Sequence, residues 1–173
     1  MSRRALLVID LQNDYFPGGK FPLWNPDVTL ERTLQAIGRA QVQGIPVILV
    51  QHVADSRRGP APFFAEGSEG VQLHSRLRAA VPDAPVVVKA YADSFHETKL
   101  EETLAAMGIT ELLVCGMMTQ NCVTHTAISK SAEKYRVSVL GDCCTTVSEP
   151  LHLIALNAVS TRLSVLSATE ALG

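Results

Sequence analysis

Residues 111–122 read Glu111-Leu-Leu-Val-Cys-Gly-Met-Met-Thr-Gln-Asn-Cys122. The first five of them are nearly all apolar, which favours a strand buried on both faces of a parallel sheet. A helical pattern begins at Asn121 and extends to Tyr135. Because a buried strand followed by a helix is the repeating unit of parallel α/β sheets, this stretch predicts a strand, a short turn and a helix that begins beside Cys122.

The same alternation of short apolar runs and longer helical patterns continues through the chain. The predicted strands are residues 5–10, 46–52, 85–89, 111–115, 137–142 and 162–167. The predicted helices are residues 26–43, 71–81, 98–107, 121–135 and 150–160. The pattern therefore predicts an α/β protein, with a six-stranded parallel sheet between two helical layers in one domain of residues 1–173.

The first predicted helix has the clearest boundaries. Asn25 is a plausible N-cap, Pro26 suits the first turn, and Gly44 follows the end. Its buried face is expected to carry Val28, Leu30, Leu34, Ile37 and Ala40. The strands are apolar enough to be buried on both sides of the sheet.

Composition restricts the compartment and the partners. The net charge of −2 and the 18% of charged residues give no electrostatic reason to expect nucleic acid or an anionic membrane as a partner. No apolar run approaches a membrane span, and the first ten residues lack a signal-peptide pattern. The four cysteines show no C-x-x-C spacing, and two of them are adjacent. We therefore expect a reduced, soluble, cytoplasmic protein without disulfides.

Two long loops, residues 11–25 and 53–70, are candidates for function. Eight of the nine aromatic residues fall in the loops after the first three strands: Tyr15, Phe16, Phe21, Trp24, Phe63, Phe64, Tyr91 and Phe95. Because these loops gather at the carboxyl edge of a parallel sheet, where ligands bind, the rings have two interpretations. Some of them line a pocket, or they anchor the loops to the body of the protein.

Three reactive side chains end or follow three predicted strands. Asp10 ends the first, Lys89 ends the third, and Cys122 follows the fourth. A helix N-terminus favours a thiolate, so we expect a lowered pKa for Cys122, with Asp10 as the proton acceptor and Lys89 as the nearby positive charge. Backbone N–H groups near Met118 and Cys122 would form an oxyanion hole. The structural alternative is that Cys122 is a small residue of the core and that Asp10 caps the end of its strand.

Three segments carry a family resemblance. They are residues 7–16 (LVIDLQNDYF), Lys89 with Ser94, Phe95 and Thr98 behind it, and residues 116–127 (GMMTQNCVTHTA). Together they resemble the isochorismatase-like, or cysteine hydrolase, superfamily over nearly the whole chain. The resemblance implies a catalytic triad of Asp10, Lys89 and Cys122. It also implies a cis peptide bond between Met117 and Met118, a sheet order of 3-2-1-4-5-6, and a homo-oligomer.

Metal binding is not expected. The nicotinamidase branch of this family holds a metal through Asp-x-His after the second strand, whereas residues 51–55 here read QHVAD, with the carboxylate on the wrong side of the histidine. The remaining histidines show no ligand spacing: His74, His96, His125 and His152. We therefore predict no metal and no other cofactor.

The substrate-binding candidates are the residues expected near the nucleophile, namely Phe16, Trp24, His52, Phe63, Tyr91, Thr119 and Gln120. Structural alternatives compete with these roles: Thr119 suits a helix cap, and for His52 the alternative is a solvated or hydrogen-bonded loop histidine. His125 is expected to be structural, Asp142 to bind loop backbone, and Cys143 and Cys144 to lie in the core.

The function that these features favour is hydrolysis of the C–N bond of a small amide through a thioester at Cys122. One alternative keeps the fold and hydrolyses a vinyl ether, with Asp10 as general acid; the retained cysteine argues against it. Another is a catalytically silent module that binds a ligand or senses redox state. The sequence does not identify the substrate.

Overall fold

Six parallel strands form one sheet in the order β3-β2-β1-β4-β5-β6 in a computed structural model that describes residues 3–173. The strands are β1 (Arg4–Ile9), β2 (Val47–His52), β3 (Val86–Lys89), β4 (Glu111–Met117), β5 (Arg136–Thr145) and β6 (Ser164–Leu166). The predicted fold class and strand order are therefore confirmed.

In the described part of the chain, six α-helices lie around this sheet: α1 (Pro26–Val42), α2 (Ser75–Ala80), α3 (Leu100–Ala106), α4 (Thr124–Ala127), α5 (Glu149–Ser160) and α6 (Ala168–Leu172). Helix α6 was not predicted, although Ser167 and Glu170 form a capping box at its start. Helix α1 begins where expected, but Asn25 is left-handed and its side chain makes no capping hydrogen bond. Within residues 3–173, no helix is long and apolar enough to cross a membrane.

The prediction of one helix over residues 121–135 was wrong. Thr119–Val123 is π-helical, α4 ends at Ala127, and Lys130–Lys134 is a separate 3₁₀ segment. Ser129 separates the last two, because its backbone is extended and its hydroxyl accepts a hydrogen bond from Ser131 N. The same hydroxyl donates to Asp93 Oδ2 at 2.7 Å, which fixes the break against the loop after β3.

The helix predicted over residues 71–81 is also shorter than expected. Leu73 pairs with Gln12 in an isolated antiparallel bridge, so the chain is still extended there. His74 then caps α2 by accepting a hydrogen bond from Arg76 N through Nδ1 at 3.2 Å. The pairing with the loop after β1 therefore delays the helix until Ser75.

Burial follows the predictions in the middle of the sheet and departs from them at its edge. Leu6, Ile48 and Val114, on three central strands, are completely buried. Strand β3 is an edge strand with alternating burial, and Val88 is 53% exposed, so burial on both faces was a wrong prediction there. Val28 of α1 is likewise 47% exposed, while Thr29 and Thr33 take the buried face instead.

The sheet order brings the candidate side chains to one edge. Strand β1 lies between β2 and β4, and parallel strands place their carboxyl ends together. Gly116 allows β4 to approach β1 closely, because a Cβ there would lie 2.0 Å from Ile9 O and the backbone φ is +125°. Asp10, just after β1, has a φ of 55° that turns the chain at the strand end.

Candidate active site

Lys89 is the centre of the candidate site. Its Nζ donates to Asp10 Oδ2 at 2.8 Å and to Cys122 Sγ at 3.2 Å, and it lies 2.9 Å from His52 Nδ1. Asp10 and Lys89 are buried, and Cys122 is 2% exposed. The structure thus brings together the three residues that the sequence placed at the ends of separate strands.

Cys122 does not occupy the helix N-terminus that the sequence predicted. It lies inside the π-helical segment, and the helix that follows is the four-residue α4. The peptide bond between Met117 and Met118 is cis, as the family resemblance implies. Cys122 lies on the turn that joins β4 to α4.

The electrostatic surroundings of Cys122 differ from the expectation of a lowered pKa. Burial raises the pKa of its thiol, the Asp10 carboxylate raises it further, and Lys89 opposes both effects. Burial also disfavours the charged form of Lys89, but Asp10 and Cys122 outweigh it and hold the Lys89 pKa above its ordinary value. The site therefore combines a protonated thiol with an ammonium group at neutral pH.

Asp10 keeps one oxygen available for a proton. Oδ2 accepts the hydrogen bond from Lys89, while Oδ1 is buried and has no hydrogen-bond partner among the residues that the structure describes. One carboxylate oxygen lies within 4.8 Å of Cys122 Sγ. A buried unpaired acceptor beside a thiol is suited to receive its proton during attack.

Gln12 is a residue of this site that sequence reasoning did not assign. Its side-chain Nε2 donates to His52 O and to Val71 O at 2.8 and 2.7 Å, and its Oε1 accepts from His52 N at 2.8 Å. The amide thus pairs with the backbone of His52 in both directions. No spacing in the sequence signals this contact, since the partners are 40 residues apart.

Asp14 is a second residue that the sequence did not assign. Its carboxylate is buried and accepts from Lys20 N at 3.0 Å and from Phe64 N at 2.7 Å. A Cβ on Gly70 would lie 2.0 Å from the same carboxylate, so any side chain there would have to displace it. Asp14 therefore ties the two long loops together beside the site.

Four of the eight aromatic rings in the loops after the first three strands pack on one another, which favours the anchoring interpretation for those four. Tyr15, Phe21, Phe63 and Phe64 form one cluster, with ring centroids 4.6 to 6.3 Å apart. Burial raises the pKa of the Tyr15 phenol strongly, and the charge of Asp10 raises it further. Tyr15 is thus the ring of this cluster that is electrostatically coupled to the candidate triad.

The remaining substrate-binding candidates lie in different surroundings. Thr119 Oγ1 is 2.8 Å from Nδ1 of the buried His152, and the Trp24 ring lies 6.1 Å from the same imidazole. Gln120 Nε2 contacts Met118 Sδ at 3.9 Å, and its Oε1 is buried without a partner among the described side chains and backbone. Tyr91 lies beneath the guanidinium of Arg58 at 4.2 Å.

Tyr91 and Phe16, two of the substrate-binding candidates, line different cavities. Lys89 and Tyr91 line one of about 400 Å³, together with Asp55, Arg57 and Glu97; Asp10 and Cys122 do not line it, and the side chain of Lys89 is fully buried. Phe16 lines another of about 540 Å³, which is bordered by residues of the two long loops and by none of the triad. The Phe16 ring packs on His74 at 4.5 Å. The structure therefore brings Tyr91 to the Lys89 cavity and leaves Phe16 outside it.

The structural roles predicted for Asp142 and for Cys143 and Cys144 agree with their contacts and burial, whereas the exposed position of His125 does not support a structural role. Asp142 Oδ1 accepts from Ala168 N at 2.9 Å, where α6 begins. Cys143 and Cys144 are buried in β5, and Cys115 is buried in β4. His125 is exposed on α4.

The metal site of the nicotinamidase branch does not fit these residues. Asp55 pairs with Arg57 at 2.9 Å, so its carboxylate is engaged, and His74 Nδ1 caps α2. Within residues 3–173, the group of three side chains with suitable spacing is Asp10, His52 and Cys122. Since all three contact or surround the Lys89 ammonium, that position already holds a positive charge.

Fold and site together define an α/β protein with a buried thiol, carboxylate and ammonium at the carboxyl edge of a parallel sheet. Residues 4–171 match the family model described as the Isochorismatase domain. The chain is 34% identical to the uncharacterised isochorismatase family protein YddQ of Bacillus subtilis, over 96% of this chain and 97% of that one. It therefore belongs to the isochorismatase family.

Two further comparisons agree with this assignment. The chain is 30% identical to the nicotinamidase of Escherichia coli, over 86% of this chain and 85% of that one. The structure of an isochorismatase-like hydrolase from Alkaliphilus metalliredigens has a TM-score of 0.87 and 21% identity, and the match covers 99% of this chain and 98% of that one. At that level of identity, the second comparison shows the fold alone.

Proposed function

We propose that this protein is a metal-independent cysteine hydrolase that cleaves the C–N bond of a small amide through a thioester at Cys122. The observation that carries the proposal is the position of Lys89 Nζ, within hydrogen-bonding distance of both Asp10 Oδ2 and Cys122 Sγ. The relative from Escherichia coli named nicotinamidase supports amides as the substrate class.

The first half of the reaction forms the thioester. Asp10 Oδ1 takes the proton of Cys122 as the sulfur attacks the amide carbon, and the carbonyl oxygen becomes an oxyanion. The raised pKa of the thiol fits transfer during attack better than a thiolate formed beforehand. When the C–N bond breaks, Asp10 returns the proton to the departing nitrogen.

The second half restores the enzyme. Water attacks the thioester carbon while Asp10 accepts one of its protons; the C–S bond then breaks, and that proton returns to the sulfur. Lys89 remains protonated and places its charge beside both Asp10 and the sulfur. We assign the stabilisation of the oxyanion to the backbone N–H groups of Met118 and Cys122, which lie on the turn after β4.

Substrate contacts are assigned by proximity to this centre. Thr119 and Gln120 precede the nucleophile on the same turn, Trp24 lies near the His152 that holds Thr119, and Tyr91 lines the Lys89 cavity. Phe63 belongs to the aromatic cluster around Tyr15. Phe16 is placed farther away, so it contributes to the loops rather than to the pocket.

A panel of small amides and ureas tests the proposal through the release of ammonia or amine. Cys122→Ala is expected to lose turnover by at least about 10³-fold, since the covalent step is removed. Hydroxylamine added to the wild-type reaction should divert the thioester to a hydroxamic acid. Wild-type turnover in Cys122→Ala, or failure to trap the acyl group, would contradict the mechanism.

The same variants distinguish the alternatives. Turnover of isochorismate that survives in Cys122→Ala but is lost in Asp10→Asn would favour vinyl-ether hydrolysis. A chain in which Cys122 is stably oxidised, and which hydrolyses nothing in the panel, would favour a redox-sensing module.

A further inference from the structure

Lys89 has three neighbours for the three protons of its ammonium group. Asp10 Oδ2, His52 Nδ1 and Cys122 Sγ lie 2.8, 2.9 and 3.2 Å from Nζ. A lysine ammonium carries three N–H donors and no acceptor. Asp10 and Cys122 take part in the proposed reaction, whereas His52 has no assigned step in it.

The geometry fixes the protonation of His52. Because the ammonium only donates, Nδ1 of His52 must offer its lone pair, and the imidazole proton lies on Nε2. Burial lowers the pKa of His52 to about 4, the charges of Lys89 and Arg58 contribute in the same direction, and Asp10 opposes them. His52 is therefore a neutral acceptor at physiological pH, as the contact with Lys89 requires.

His52 is also held in place from two sides. It is the register partner of Lys89 at the ends of the adjacent strands β2 and β3. The Gln12 side chain binds both its N–H and its carbonyl group at 2.8 Å. Gln12 follows Asp10 by two residues. The segment after β1 therefore supplies Asp10 and also, through Gln12, holds the backbone of His52.

We propose that His52 is a positioning residue that orients Lys89 by accepting a hydrogen bond from its third N–H, so that the other two N–H groups point to Asp10 and Cys122. This inference rests on the proposed function of those three residues. Without the imidazole, Lys89 would keep an unsatisfied N–H in a buried site, and it would relieve this by moving away from the sulfur. The Nε2–H group of His52 takes no part in this contact.

The test compares His52→Leu, which removes the acceptor, with His52→Asn, whose side-chain oxygen can replace Nδ1. With an amide that the wild type hydrolyses, His52→Leu should lower kcat by about 10- to 100-fold and change KM by less than about threefold. His52→Asn should recover most of kcat. Equal losses in both variants, or a rise in KM with an unchanged kcat, would overturn the proposal.

Alkylation of Cys122 by iodoacetamide, followed by mass spectrometry, tests the same inference without a substrate. The rate constant should fall about tenfold in His52→Leu and stay near wild type in His52→Asn, because a displaced Lys89 no longer stabilises the thiolate. His125→Leu makes the same exchange at an exposed histidine and should leave the rate unchanged. If wild type hydrolyses no amide, the proposed function fails but this measurement still decides the role of His52.

A double-mutant cycle separates positioning from altered access to the sulfur. In a Lys89→Met background, His52→Leu should have no further effect on alkylation, because the group that it positions is gone. A full additional tenfold loss there would assign the effect to access and overturn the proposal. If Lys89→Met does not fold, as judged by circular dichroism, the comparison of His52→Leu with His52→Asn decides alone.

Discussion

At the scale of single residues, burial and ion pairing have opposite effects on the charged groups of the candidate site. Burial disfavours every charge in it, yet Asp10 and Lys89 offset each other at 2.8 Å. Cys122 is the uncharged member, because burial and the nearby carboxylate raise the pKa of its thiol more than Lys89 lowers it. In the proposed reaction, the thiol proton of Cys122 therefore leaves during the attack.

Asp10→Asn should have opposite effects on two measurements. Removing the carboxylate charge lowers the pKa of Cys122, so alkylation by iodoacetamide at pH 8 should be about tenfold faster than in wild type, and its rise with pH should begin at lower pH. Amide turnover should fall by about 10²- to 10⁴-fold, since the proton acceptor is lost.

Asp142→Asn is the matched control, because that carboxylate binds the backbone of Ala168 away from the sulfur. This variant should leave the rate of Cys122 alkylation, and its dependence on pH, unchanged. If Asp10→Asn slows alkylation and turnover together, then Asp10 supports the thiolate instead of raising the pKa of the thiol, and the assignment of Asp10 as the base acting during attack is wrong.

The sequence located Asp10, Lys89 and Cys122 because each follows an apolar run, and strand ends meet in a parallel sheet. It did not locate Gln12 or Asp14. Their partners are His52, at the end of β2, and Phe64, in the loop after it; these lie 40 and 50 residues away, and no local pattern encodes such pairs. The pKa of Cys122 was misjudged for the same reason, since its burial depends on the whole fold.

At the scale of elements, the turn after β4 decides where the sulfur lies. The sequence predicted a helix there from periodicity alone. The structure has a π-helical turn, a short α4 and a break at Ser129, whose hydroxyl donates to Asp93 Oδ2. The strand could be predicted because its burial is encoded in consecutive apolar residues, whereas the helix break depends on a partner 36 residues away.

Two glycine substitutions test the close approach of β4 to β1. Gly116→Ala should lower the free energy of unfolding by at least about 2 kcal/mol, because the new Cβ would lie 2.0 Å from Ile9 O and the φ of +125° strains any other residue. Amide turnover should fall as well, since Ile9 directly precedes Asp10. Chemical denaturation and the amide assay measure the two effects.

Gly38→Ala is the control, because a Cβ there meets nothing within 4 Å and the residue is exposed in α1. It should raise stability by about 0.5–1 kcal/mol through helix propensity and leave turnover unchanged. An undiminished stability of Gly116→Ala would show that the two strands can separate without cost, and the tight β1–β4 junction would then not hold Asp10 in place.

At the scale of the whole molecule, the site joins parts of the chain that are distant in sequence. Asp14 and the ring cluster around Tyr15 bind the loop after β1 to the loop after β2, and these loops border Asp10 and His52. The strand order could be predicted from the family resemblance. The contact between the two loops could not, because it depends on a buried carboxylate bonded to backbone N–H groups.

Association between copies of the chain is the remaining expectation from the resemblance, and α5 is the surface that we predict for it. Leu153 and Ile154 are 57% and 65% exposed, although large apolar side chains are normally buried. His152 precedes them on the same helix and lies 2.8 Å from Thr119, on the turn that carries Cys122. A partner on α5 would therefore also support the turn that carries Cys122.

Leu153→Glu combined with Ile154→Glu should convert an oligomer into single chains, as measured by light scattering after size-exclusion chromatography. Charge at the centre of an apolar interface costs several kcal/mol, enough to dissociate it at micromolar concentration. Val42→Glu places the same charge on another exposed apolar residue, in α1, and should leave the mass unchanged. A wild type that is monomeric at these concentrations contradicts association, and a double variant of unchanged mass places the interface elsewhere. Turnover that falls with dissociation would show that the turn of Cys122 depends on the partner.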